Sequence, residues 1–225
     1  SSARAFLRPN LGRPNLTVLL NTHATRVIFD GDRASGVEIV SGEVARTVEA
    51  TREVILAAGT IHSAKLLMLS GVGPAEQLRA LGIPVVHDAP QVGENLQDHL
   101  DICTLRHATQ RVTYDRVGDA RIAFDYYLRG RRGPGTSNIA EAGGFARSAL
   151  APDDRADIQF HFVPAMLDDH GRHRLPGDGY TLHACFLRPR SRGRITLASN
   201  RAGDKPRIEA NYLGDPDGFD LRMMV

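Results

Sequence analysis

Short apolar runs broken by polar turns dominate the first fifty residues. Residues 16–20, 24–29, 36–40 and 45–49 each read as a strand. Asp30-Gly31-Asp32 and Ser41-Gly42-Glu43 separate the later ones in the manner of hairpin turns. The run Val54-Ile55-Leu56-Ala57-Ala58 is continuously apolar and ends at Gly59, which predicts a buried strand. Beyond Gly59 the period lengthens: Ile61, Leu66, Leu67 and Leu69 share one helical face, and Ser70-Gly71-Val72-Gly73-Pro74 closes the helix. A strand entering a helix through small residues leaves helix N–H groups free for an anion. Taken alone, the same junction also fits plain packing. Residues 74–81 form a short amphipathic helix closed by Gly82, and Pro84 limits residues 83–86 to an extended link.

The pattern changes near His99. Residues 101–107 alternate like a strand, 120–129 like a helix, and 129–135 form a glycine- and arginine-rich loop. Strand-like runs return at 142–147, 157–163, 180–187 and 194–198. The expected class is α+β, with a largely antiparallel sheet flanked by helices in the second half. The expected domains are 1–98 and 99–225.

Composition narrows the possibilities. The chain has 225 residues, 42% of them hydrophobic, enough for a real core. A formal net charge of +2 gives no drive toward nucleic acid. Arg188, Arg190, Arg192 and Arg194 are read as one charged strand face rather than a nucleic-acid patch. Cys103 and Cys185 are far apart and make no CxxC, which argues against a disulfide framework or a structural zinc site. His170 and His173 sit in a polar loop without further ligands at a convincing spacing, so no metal is expected. No apolar run approaches the roughly 20 residues of a bilayer span. The expected location is the cytoplasm, with peripheral attachment to the inner membrane as the alternative for the intact protein.

Four ordered motifs then stand out. They are Ala57-Ala58-Gly59-Thr60-Ile61-His62-Ser63-Ala64-Lys65-Leu66-Leu67-Met68-Leu69-Ser70-Gly71-Val72-Gly73-Pro74 and Val92-Gly93-Glu94-Asn95-Leu96-Gln97-Asp98-His99. Arg188-Pro189-Arg190-Ser191-Arg192-Gly193-Arg194-Ile195-Thr196-Leu197 and the segment from Lys205-Pro206 to Tyr212-Leu213 follow. Together they resemble the glucose–methanol–choline (GMC) flavoprotein oxidoreductases, most of all the choline dehydrogenase-like branch. His62-Ser63-Ala64 departs from the family's Asn-Ser/Thr-Pro, which changes helix entry only slightly. Against the family pattern the chain has neither the N-terminal GxGxxG nor the C-terminal catalytic histidine segment. The expectation is an internal piece, inactive by itself and poor at holding flavin.

The resemblance implies FAD in the intact protein, a small alcohol as substrate, hydride transfer to flavin, and oxygen or a quinone chain as electron acceptor. It places the Ala24 backbone at the adenine end of FAD and Ala57, Ala58 and Gly59 under the ADP moiety. It gives no residue of this chain a catalytic role. Toward substrate it points to His99, to Asp101 as the carboxylate facing a quaternary ammonium, to His161 in the pocket and to Glu141. From the residues alone, Asp101 also fits a pairing role at a domain junction, and His161, between two phenylalanines, a satisfied core histidine. A non-catalytic binding domain of the same fold and a lyase on that fold are the rival readings. The pattern says nothing of oligomeric state.

Overall fold

In the computed structural model, which describes residues 1–110, 113 and 117–225, three of the four early apolar runs form a β-meander. Along the chain come β1 (Thr22–Asp30), β2 (Arg33–Ser41), β3 (Val44–Glu49), α1 (Gly59–Leu69), β4 (Val72–Gly73), α2 (Ala75–Ala80) and β5 (His87–Asp88). Then follow β6 (Asp101–His107), α3 (Asp119–Tyr127), β7 (Ala142–Ala146), β8 (Ile158–Val163), β9 (Leu167–Asp168), β10 (His173–Arg174) and β11 (Gly179–Phe186). The chain closes with β12 (Arg194–Thr196), β13 (Arg207–Glu209) and α4 (Phe219–Met224). The described strands pair antiparallel apart from the short parallel pair β4–β5, and helices accompany them, in keeping with the α+β expectation.

Two units result. One comprises Ser1–Leu96 with Arg194–Glu209, the other Gln97–Gly193 with Ala210–Val225. The first crossing falls at Leu96–Gln97. The β12–β13 hairpin, however, returns to the first unit, a return that linear reading of the sequence did not contain.

In the first unit, β1, β2 and β3 pair antiparallel, and the β1–β2 register shifts between Ala24 and Arg26. Thr25 lies in this irregularity, and its hydroxyl donates to Oε1 of Glu38 at 2.7 Å. Such a bulge re-aims the neighbouring residues, Ala24 among them. The core gathers Met68 of α1, Leu78 of α2, Ile83, Ile195 and Leu197. Lys65 is buried on α1, and its ammonium donates to the carbonyls of Ala202 and Asp204, each at 2.6 Å. A buried cation is tolerable only with such partners.

Gly93 shows why the second motif carries a glycine at its second position. Its φ is +93°, and a Cβ there would lie 2.2 Å from the Ile195 carbonyl oxygen. Ile195 N–H in turn donates to the Gly93 carbonyl at 2.7 Å. Only a residue without a side chain allows the two backbones to approach so closely.

Two expected strands are absent. Residues 16–20 and 54–58 adopt no ladder pairing, and Leu20 and Ile55 are 75% and 77% exposed. An extended run becomes a strand only when neighbours accept and donate its backbone hydrogen bonds, and no described strand pairs with either run. The expected burial of Val54-Ile55-Leu56-Ala57-Ala58 is corrected for the same reason.

In the second unit four strands form an antiparallel sheet of order β6-β11-β8-β7. Met166, Cys185, Phe186 and Phe219 are buried in this unit. Two buried carboxylates tie its loops. Asp157 accepts from Ser148 N–H and hydroxyl, both at 2.7 Å. Asp220 accepts from Arg190 N–H, Ser191 N–H and the Ser191 hydroxyl at 2.8, 2.8 and 2.5 Å. The arginine motif is not one strand face, since among its four arginines β12 contains Arg194 alone. Arg188 binds Asp153, Arg194 binds Glu209, and the Arg190 guanidinium lies 3.7 Å from the centre of the Phe219 ring.

Candidate functional site

Each unit presents one place where the sequence candidates gather. In the first unit a cleft of about 290 Å³ is lined by Thr22, His23, Ala24, Ala58, His62 and Lys65, among others. The first residues of β1 and one side of α1 build it. Ala24 and Ala58 therefore share one cleft, as two of the four residues proposed from the sequence to meet FAD. Gly59 opens α1 with φ +78°, and nothing lies within 4 Å of where its Cβ would be. Ala57 immediately precedes this junction and is exposed. Small residues and open space are what close approach of a large flat group needs. His62 and His23, which the sequence reading passed over, add polar groups to the same wall.

In the second unit the site is a sheet face. Ladder register sets Cys103 opposite His183 and His183 opposite His161, so one row runs across β6, β11 and β8. The next row holds Asp101, Cys185 and Gln159. Side chains directly opposite share a face, and so do those two apart on a strand. Asp101 and His161 thus lie on the same face, joined through His183. The His183 Nδ1 is 2.6 Å from Asp101 Oδ2 and 3.1 Å from Cys103 Sγ. Glu141 enters the edge of this sheet, its N–H donating to the Phe162 carbonyl at 3.1 Å.

His99 lies apart from that row. Its Nε2 contacts the Leu187 carbonyl at 3.1 Å, and its N–H donates to Asp98 Oδ1 at 2.9 Å. The other Asp98 oxygen accepts from the Tyr212 hydroxyl. That hydrogen bond, together with partial burial, pushes the Tyr212 phenol up. Burial, and then the charge of Asp101, push the Cys103 thiol up as well. His183 and Cys103 are the residues that sequence reasoning missed. Their signal was the alternation of Asp101 and Cys103 along one strand, but their partner lies 80 residues away.

Comparison with known proteins bears on both places. The GMC oxidoreductase family profile matches residues 1–101. Over its whole length the chain is 46% identical to an alcohol dehydrogenase (acceptor) of Pseudomonas putida, of which it covers 41%. It is 41% identical to an oxygen-dependent choline dehydrogenase of Brucella ovis and to the mitochondrial choline dehydrogenase of Mus musculus, covering 41% and 38% of them. Residues 1–101 match the GMC oxidoreductase family, and the whole chain is similar to part of the alcohol and choline dehydrogenases named above. It spans about two fifths of the curated relatives it matches.

Solved GMC-type structures agree. Pyridoxine 4-oxidase from Mesorbium loti matches 97% of the chain and 40% of its own at TM-score 0.76 and 27% identity. An FAD-dependent oxidoreductase from Chaetomium thermophilum, at 24% identity and TM-score 0.73, covers 96% of this chain and 44% of its own and shows the shared fold. Within that fold the GMC motifs turn out to be joined to one another. Gly93 meets Ile195 in the first unit, while in the second Asp98 meets Tyr212 and Asn211 donates to the Arg192 carbonyl at 3.0 Å.

Proposed function

We propose that the protein containing this chain oxidises a primary alcohol and that an alcohol bearing a cationic group, choline-like, is its preferred class. The observation that carries the reading is the Asp101 carboxylate, 39% exposed on the sheet face that also holds His183 and His161. His183 and Cys103 both engage Oδ2, so Oδ1 is the oxygen offered to a cation. A partly desolvated carboxylate selects a positive group by charge complementarity. His161 lies one strand farther along the row, where it would bound the substrate, and Glu141 and His99 would line the margins.

The cofactor implied is FAD, and the first unit fits its adenine end. Ala24 would meet the adenine and Ala57, Ala58 and Gly59 the ADP moiety, beside an open cleft that Ala24 and Ala58 line. When bound, FAD supplies the hydride acceptor. Oxygen or a quinone would be the final electron acceptor; the Brucella ovis relative is an oxygen-dependent enzyme.

The test uses the full-length protein. Asp101→Ala and Asp101→Asn are compared with wild type on choline and on its uncharged carbon isostere, with oxygen and with a quinone analogue as acceptor. The expected result is a KM for choline raised about tenfold, equivalent to roughly 1.4 kcal/mol, with the isostere unaffected. An equal change for both alcohols would reject the cation-selecting role. Absence of turnover with any alcohol in the flavin-loaded protein would reject the oxidase or dehydrogenase reading itself.

A further inference from the structure

The sheet face of the second unit brings a carboxylate, a thiol and an imidazole to one point. Asp101 Oδ2, Cys103 Sγ and His183 Nδ1 all lie within 4.8 Å of one another. The individual separations are 2.6 Å for oxygen to nitrogen, 3.1 Å for sulfur to nitrogen and 3.6 Å for sulfur to oxygen. We propose that Asp101, Cys103 and His183 form a binding site for a borderline-soft divalent cation of the Zn²⁺ class. The inference does not require the proposed alcohol oxidation, although both draw on Asp101.

The geometry suits such an ion. Around tetrahedral zinc, with bonds of roughly 2.0–2.3 Å, donor atoms stand about 3.4–3.6 Å apart. The sulfur–oxygen pair already has that spacing. The other two need an outward movement of about 0.5–0.8 Å to reach it, which rotation of half-exposed side chains supplies. The backbone need not move, because Cys103 and His183 are direct ladder partners and Asp101 is two residues along the same strand. The donor chemistry discriminates as well. One sulfur, one nitrogen and one oxygen suit zinc, whereas magnesium and calcium take oxygen.

The surroundings offer further donors. Register places Cys185 opposite Asp101 and His161 opposite His183, so five ligand-type side chains share two adjacent rows of one face. A fourth position is filled by one of these or by water. As the metal–sulfur bond forms, the thiol proton passes to solvent. This departs from the expectation of no metal, which rested on linear spacing; these ligands come from strands 80 residues apart.

The experiment titrates the 225-residue chain with Co²⁺ and follows the near-ultraviolet thiolate-to-cobalt band, then displaces it with Zn²⁺. One equivalent is expected to bind, with the band present in wild type and in Cys185→Ser and absent in Cys103→Ser. His183→Gln and Asp101→Asn should each weaken Zn²⁺ binding at least about tenfold. Circular dichroism on every variant shows that the sheet is retained. Three results would overturn the proposal: no saturable binding, a band that survives Cys103→Ser, or Mg²⁺ competing as well as Zn²⁺.

Discussion

Replacing Asp220 by asparagine tests whether the loop-tying carboxylate of the second unit is a major source of its stability. Asp220 is 3% exposed and accepts three hydrogen bonds, two from backbone N–H groups and one from the Ser191 hydroxyl. Asparagine keeps one oxygen and turns an amide NH₂ toward a donor. At least one charge-assisted bond is lost and one buried N–H is left without an acceptor, a cost of about 2–4 kcal/mol. For a chain of this length each kcal/mol moves Tm by about 2–4 °C, so a fall of roughly 4–16 °C is expected at neutral pH. The pH dependence is the sharper check. Burial alone would raise this carboxyl, but the N–H of Arg190 and the hydroxyl and N–H of Ser191 outweigh it and hold it below its ordinary value. A depressed folded value means stability that is fully present above the unfolded value of about 3.9 and is lost as pH falls through the folded one. The gap between wild type and Asp220→Asn should therefore stay constant from pH 7 to about 5 and close below about 4. Thermal melts followed by far-ultraviolet circular dichroism at pH 7, 5 and 3 measure it. A Tm change under about 2 °C at pH 7, or a gap that is the same at pH 3, would refute the reasoning.

Two further expectations concern the first unit. Met68 is fully buried among Leu78, Ile83, Ile195 and Leu197, so Met68→Ala should cost about 2–5 kcal/mol in urea unfolding and Met68→Leu under about 1.5. Gly93→Ala puts a Cβ 2.2 Å from the Ile195 oxygen at a positive φ; a loss of roughly 1–3 kcal/mol, with faster amide exchange at Ile195, is expected, and unchanged exchange would count against the close backbone contact.

Local chemistry decided what could be read from the sequence. The turns at Gly31 and Gly42 and the alternation of β6, β8 and β11 carry their information within a few residues, and they appear where expected. Residues 16–20 and 54–58 fail for the opposite reason. An apolar run reveals a tendency to extend, not the presence of a neighbour, and Ile55 is left 77% exposed. The β12–β13 return and the Asp101–Cys103–His183 cluster were hidden likewise, since both depend on pairings across long separations.

The residues of the GMC-like motifs serve mainly to hold the fold together. Gly93 is fixed by contact with Ile195, Asp98 by Tyr212, Ser191 by Asp220, and Lys65 by the carbonyls of Ala202 and Asp204. Each of these contacts would hold the same architecture around different alcohols. Under the proposed function, substrate choice would belong instead to positions outside those motifs: Asp101 two residues past His99, His161 on β8 and His183 on β11. Because His183 engages the same carboxylate oxygen that a metal would take, a cationic alcohol at Asp101 and a divalent cation at the three-residue cluster would compete for one charge. Zn²⁺ should therefore raise the apparent KM for a cationic alcohol more than for its uncharged isostere, which links the two proposals while leaving each with its own test.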